Sequence, residues 1–337
     1  PYTTFQPLLY QVATGGLNPG DITYALRRFA AKHDAHRASF RRASVTGIDR
    51  EDKRVLVDTG EPIPYDYLVL AQGVGANFFG IEGAEQHART IYTRGAALEV
   101  RDIIFSGLER LTAERDPDRR FTVAVVGGGP TGVEMAGTLA EMKSEALPVL
   151  YPELHVDNFR VVLVEMTDQL LGPFEPPLRD YTLDQLRRRG VDVRLSTAIE
   201  RVESDKVHFA DGGSLDVDVL IWAAGVGAHA TVADWGLPQG KAGRILVDTD
   251  LRVQGAEDVF AVGDAAVIEE APLPQLAQPA IQMGEHAARN IAHLAKGEGT
   301  EPFAYHDQGV MATIGRNAAV VDLAPIGPLP RLRFKGY

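Results

Sequence analysis

Gly127, Gly129 and Gly132 form a G-x-G-x-x-G array directly after the apolar run Val123-Ala124-Val125-Val126 and at the opening of a segment with helical spacing. That order suits a strand turning tightly into a helix. Gly127 permits the turn, Gly129 lets a pyrophosphate approach the backbone, and Gly132 allows close packing. The helix N-terminus offers N–H groups without intrahelical partners to phosphate oxygens. A strand–helix turn with no ligand can carry the same glycines, so the discriminating residue is Glu165. It ends the next apolar run, where a carboxylate can accept from a ribose 2′-hydroxyl. Glu165 stands further along than the usual interval of about 20 residues, and an irregular insertion at 147–158, with Pro148 and Pro152, accounts for the excess. An acid there repels a 2′-phosphate, so NADH is expected rather than NADPH.

Three further sets of residues could do chemistry. Gly263-Asp264 follows the apolar run at 259–262, and a strand-end aspartate can accept from a polyol or serve as an ordinary turn residue. Ala277-Gln278-Pro279 opens a helix with an apolar face of Met283, Ala287, Ile291 and Leu294, and Gln282 lies one turn further on. Such an N-terminus with nearby amides can stabilise negative charge on a ligand, or be a capped helix with exposed glutamines. Glu134 is read in the first turn of the helix after the glycines, as a structural charge helped by the helix dipole. The chain has no cysteine, which removes disulfides, thiolate metal sites and dithiol redox mechanisms.

The elements that must position these residues are strands alternating with helices. A helix is expected over 94–115, then a strand at 122–126, a helix to about 146, a strand at 161–165, a helix at 179–189, and strands at 191–195 and 219–223. Alternation of this kind implies a parallel, doubly wound sheet. Upstream, Tyr67-Leu68-Val69-Leu70-Ala71 reads as a buried parallel strand entering a turn at Gln72-Gly73. Its resemblance to Ile221-Trp222-Ala223-Ala224-Gly225 suggests two related dinucleotide units.

Composition bounds the rest. At 337 residues about two domains are expected. With 34 basic against 46 acidic residues the net charge is −12, which disfavours nucleic acid as a partner. No stretch reaches the roughly 18 apolar residues of a membrane span, and residues 1–20 lack a signal-peptide pattern, so a soluble, intracellular chain is expected. The start at Pro1 and the basic, partly apolar run at 330–335, without a terminating element, read as the ends of a trimmed protein.

With these motifs in order, the chain resembles the two-dinucleotide flavoprotein reductases, and among them most closely the type II NADH dehydrogenases, the non-pumping NADH:quinone oxidoreductases. Phe5-Gln6-Pro7-Leu8-Leu9-Tyr10-Gln11-Val12-Ala13-Thr14-Gly15 is similar to their first flavin-side segment, Ala277-Gln278-Pro279-Ala280-Ile281-Gln282 to their A-Q-x-A-x-Q quinone motif, and residues 309–316 to their return strand. Gln308 departs from the lysine that many members carry. The resemblance implies an α/β fold of two Rossmann-like domains. An NADH domain at 118–240 is inserted into a discontinuous FAD domain at 1–117 and 241–324, whose own G-x-G-x-x-G unit lies upstream of Pro1. Residues 325–337 would begin a C-terminal region that attaches beyond Tyr337 to the cytoplasmic side of the membrane.

It further implies that FAD is held by Pro7, Ala71, Gly73, Gly263, Asp264, Ala277 and Gln278, and NADH by Gly127, Gly129, Gly132, Glu165, Ala224 and Gly225. Glu134, Gln278 and Gln282 would lie at the site of quinone reduction, and the protein could pair as a homodimer. The alternatives are a soluble reductase serving a ferredoxin or rubredoxin, and a nucleotide sensor without turnover.

Overall fold

The computed structural model describes residues 2–32, 37–114, 116, 118–325 and 330–336. The chain divides into two compact units, one of residues 1–38, 76–225 and 309–337, the other of 39–75 and 226–308. The elements that bear on the site are, in chain order, β1 (Leu68–Leu70), α1 (Arg94–Glu114), β2 (Phe121–Val126), α2 (Pro130–Glu141), β3 (Phe159–Val164), α3 (Pro176–Arg188), β4 (Asp192–Arg194), β5 (Val219–Trp222), β6 (Val259–Ala261), α4 (Ala277–Leu294), β7 (Val310–Thr313), β8 (Ala319–Leu323) and β9 (Leu332–Gly336).

In the first unit β4, β3, β2 and β5 lie side by side in that order, all parallel, with Val123 paired to Val161 and to Val219. Every residue of β2 and β5 is buried, as both faces of this sheet are covered. Phe121, Val123 and Val125 pack among Val100, Ile104 and Leu108 of α1 and Val133, Met135 and Leu139 of α2. Ala124 and Val126 point the other way, into Val202, Val207, Phe209 and Leu215. Those last residues belong to an antiparallel sheet of Ile199–Val202, Lys206–Phe209 and Ser214–Asp216, which sequence periodicity did not reveal. Helices therefore cover one face and a small sheet covers the other, in place of helices on both.

Two expected boundaries change. Residues 147–158 are not irregular throughout, because α2 continues through a single wide π turn at Met142–Ala146 into a helical turn at Leu147–Leu150. Pro148 falls in the first turn of that last segment, where its missing N–H costs little. The run at 330–335 is not without structure either. It forms β9, antiparallel to β8, with Val321 opposite Phe334. Arg331 and Arg333 flank the buried carboxylate of Asp322 at 3.1 and 3.4 Å, so these basic residues neutralise an acid of the sheet's inner face.

In the second unit β1 and β6 pair in parallel, Leu70 beside Ala261. β6 is wholly buried with Leu70, Met283 and Ala287. Val69 is 41% exposed, so β1 is buried on one face only, unlike the sequence expectation. Its periodicity could not say so, because a continuous apolar run carries no record of which side is covered.

Candidate functional site

In the first unit the glycine turn has the geometry its spacing implies. Gly127 has φ +108°, and a Cβ there would lie 2.6 Å from the Ala223 carbonyl oxygen and from the Ala224 Cα, so no other residue fits. A Cβ on Gly132 would collide with the carbonyl oxygen of Gly127. Gly129 meets nothing within 4 Å, which leaves its backbone open to a ligand. It is also the N-cap of α2, with no side chain capping the helix and Pro130 in the first turn. The first N–H groups of α2 are thus left for an anion.

Glu165 follows β3 and is fixed from two sides. The Gly128 N–H donates to one carboxylate oxygen at 2.6 Å and the Thr167 N–H to the other at 2.7 Å. Each oxygen keeps a second lone pair, so the acid is oriented and still able to accept from a hydroxyl. Ala224 and Gly225 leave β5 beside this turn, at the carboxyl edge of the sheet where ligands of open α/β folds bind.

Glu134 is the fifth residue of α2, in its second turn rather than its first. Gly129 caps the helix, so counting starts at Pro130. The strongest part of the helix dipole is therefore a turn away. Its carboxyl accepts a long hydrogen bond, 3.4 Å, from the Thr313 N–H of β7, and burial pushes its pKa up to about 7. Thr313 is in turn held by the Tyr10 hydroxyl at 3.1 Å, and Gln11 donates to Tyr10 at 3.2 Å. Pro7 stands exposed in the short turn Gln6–Leu8 that leads into this segment. Sequence reasoning missed the Tyr10–Thr313 link, which joins residues 303 positions apart.

The second unit gathers Ala71, Gly73, Gly263, Asp264, Ala277, Gln278 and Gln282. β1 and β6 end at the same edge, where the Val262 N–H donates to the Leu70 carbonyl at 3.0 Å. Gly263, with φ +65°, lets the first turn of α4 come close, since a Cβ there would lie 3.1 Å from Ala280. Gly73 takes φ +68°. Asp264 is pushed upward in pKa by burial and drawn back by the charge of Arg244.

Arg244, which the sequence reading passed over, is 8% exposed and donates through Nε to the Asp264 carbonyl at 2.9 Å and through a second nitrogen to the Ala266 carbonyl. A buried guanidinium spent on two carbonyls of one turn fixes that turn.

α4 begins at Ala277 with no side-chain cap, and Gln278 is half-buried in its first turn. Gln282, one turn further on, is tied to the backbone of His306. Its amide donates to the His306 carbonyl at 3.0 Å and accepts from the His306 N–H at 2.9 Å, so both ends bind backbone. Two other glutamines carry side-chain atoms without a partner: Gln72 Oε1 and Gln275 Nε2 are buried. An orphaned acceptor beside Gly73, an orphaned donor before α4 and the Asp264 carboxylate match the mixed donors and acceptors of a flavin and its ribityl chain.

The chain matches the pyridine nucleotide-disulphide oxidoreductase family over residues 2–284. It is 35% identical to the type II NADH:quinone oxidoreductase NdhA of Mycobacterium tuberculosis, over 99% of this chain and 73% of that one. It is 32% identical to a type II NADH:quinone oxidoreductase of Staphylococcus epidermidis, over 93% of this chain and 78% of the relative. The solved structure of NDH2 from Plasmodium falciparum in complex with NADH superposes with a TM-score of 0.88 at 21% identity, covering all of this chain and 85% of that one, which is a likeness of fold. With the glycine turn, the acid and the aspartate turn all in place along sequences this similar, the chain belongs to the type II NADH:quinone oxidoreductases.

Proposed function

We propose that this chain oxidises NADH bound at Gly127, Gly129, Gly132, Glu165, Ala224 and Gly225 and passes the electrons to a quinone, with Glu134 supplying a proton. FAD is the cofactor of the reaction, and when bound it accepts the hydride of NADH and returns the electrons to quinone. The observation that carries the residue assignment is the Glu134 carboxyl, half-buried, accepting one long hydrogen bond from the Thr313 N–H and raised by desolvation to about 7. Quinone reduction consumes protons, and a carboxyl half-protonated at neutral pH is suited to give one up and be refilled. Pro7, Ala71, Gly73, Gly263, Asp264, Ala277 and Gln278 would hold the flavin, Arg244 would fix the turn of Asp264, and Gln278 and Gln282 would border the quinone.

In this reading residues 118–240 serve NADH, 1–117 and 241–324 serve FAD, and 325–337 lead toward the membrane. Quinones of respiratory chains are lipid-soluble, which supports attachment to a membrane; the proposed attachment is at the cytoplasmic face through residues beyond Tyr337, and a homodimer would present two such sites. No helix among the described residues is long and apolar enough to cross a membrane. The test is spectroscopic: NADH should bleach the flavin band of the purified protein and a short-chain quinone should restore it. Restoration by a ferredoxin and not by quinone would reverse the reading.

Two substitutions test the assignments separately. Glu165→Ala should raise the Michaelis constant for NADH and narrow the preference over NADPH, because an acceptor for the ribose and a charge repelling a 2′-phosphate are lost together. Unchanged constants for both nucleotides would sink the role of Glu165. Gln278→Leu should leave bleaching by NADH near the wild-type rate and slow the return with quinone by about tenfold or more, since misplacement by about 1 Å can cost around 100-fold. Gln282→Leu should in addition lower stability by about 1 kcal/mol, as its two hydrogen bonds to His306 are lost. Equal slowing of both half-reactions would remove both glutamines from the quinone and leave Gln278 with its flavin role alone.

A further inference from the structure

Phe79 combines three properties that folding alone does not explain. Its φ is +54°, a left-handed conformation that bulky side chains rarely adopt. Its side chain is 61% exposed. Its ring lies over the Cα of Gly225, so closely that a Cβ on that glycine would be 2.5 Å from the ring. The strain is held in place from below. The Phe79 N–H donates to the Asn77 side chain at 2.8 Å, the Asn77 N–H donates to the Gly225 carbonyl at 3.0 Å, and the Trp222 indole donates to the Asn77 carbonyl at 2.8 Å. Phe78, one residue earlier, packs against Trp222 at 5.5 Å between ring centroids, so the neighbour performs the burial and Phe79 is turned outward. Strained residues persist where surrounding structure over-determines them, and they cluster at ligand sites.

Strand order says which part of a dinucleotide this ring meets. The sheet runs β4, β3, β2, β5. Glu165 follows β3, the glycine turn follows β2, and Gly225 follows β5. A dinucleotide with its adenosine ribose at Glu165 and its pyrophosphate at Gly129 extends its other half across the end of β5. That half would reach the end of β5, where the ring of Phe79 covers Gly225 and offers its exposed face. We infer that Phe79 is a specificity residue that packs against the nicotinamide riboside half of the nucleotide. This rests on the proposed placement of NADH, and it adds a contact that the G-x-G-x-x-G array and the acid do not supply.

The experiment uses the flavin-loaded, full-length protein and two non-reducing ligands, NAD+ and ADP-ribose, titrated calorimetrically. Phe79→Asn should weaken NAD+ by about five- to tenfold, the range of an aromatic contact. It should leave ADP-ribose, which lacks the nicotinamide, within about twofold. Its melting temperature should not fall, because Asn tolerates a left-handed φ better than Phe. Phe79→Tyr, with the same ring, should bind NAD+ like the wild type. Glu165→Ala serves as the control and should weaken both ligands. Wild-type NAD+ affinity in Phe79→Asn, equal losses of NAD+ and ADP-ribose, or a loss in Phe79→Tyr as large as in Phe79→Asn would each overturn the inference while leaving the nucleotide site standing. Unchanged binding of both ligands in Glu165→Ala and Phe79→Asn alike would remove the site and the inference together.

Discussion

Glu134→Gln should slow quinone reduction by about 100-fold, within the range contributed by a positioned proton donor, and leave NAD+ binding unchanged. The wild-type rate should decline as pH rises past about 7, where burial places the carboxyl, and the variant should show no such inflection. The same substitution should stabilise the protein at alkaline pH. Because the folded pKa is raised from 4.5 to about 7, the folded state holds a proton in that window that the unfolded chain releases. This contribution is complete below pH 4.5 and is lost as pH rises through 7. Glutamine is neutral throughout and can still accept the Thr313 N–H. At pH 8 the variant should therefore gain up to about 3 kcal/mol, at 1.36 kcal/mol per pKa unit. Urea titrations at pH 5 and pH 8 measure this, and an identical pH dependence in both proteins would mean that Glu134 is not a buried titrating group.

Asp264→Ala should raise the flavin dissociation constant by about 10- to 100-fold, as a buried hydroxyl of the ribityl chain loses its acceptor at about 1–3 kcal/mol. Arg244→Met should give a different signature. Burial already pushes the Asp264 carboxyl upward, and Arg244 opposes that push. Without the cation the carboxyl becomes protonated at a higher pH, so flavin retention should fall on acidification at a higher pH in Arg244→Met than in the wild type. Flavin per protein after gel filtration at each pH reads both variants. Full occupancy of Asp264→Ala would remove the aspartate from the site, and a pH-independent loss in Arg244→Met would reduce Arg244 to a support of the turn.

The parts of this molecule legible in the sequence are those whose chemistry is local. The glycine array, β2, α2 and the strand before Glu165 sit within a few residues of the signals that specify them, because a tight turn and a helix start depend on nearby φ and N–H groups. Glu134 was visible as an acid on that helix. Its burial was not, because the burying partner, Thr313 on β7, lies 179 positions away. Nothing near Arg244 in the sequence marks it, and only the folded chain brings it to the carbonyls of Asp264 and Ala266. The antiparallel cover over β2 and β5 escaped because its strands are of three and four residues, too short for a periodicity to declare itself. Phe79 is the extreme case, since its meaning lies in a backbone angle that phenylalanine does not advertise.

The order of strands in the first unit also has a consequence during synthesis. β2 sits in the middle of its sheet, yet one neighbour, β3, follows it closely while the other, β5, is made only after α3, β4 and the whole antiparallel cover. Until Trp222 has left the ribosome, one side of β2 keeps its peptide groups unpaired, and Ala124 and Val126 face no completed layer. A nascent chain in that interval exposes an apolar parallel edge, the kind of surface that chaperones bind and that aggregates when they do not.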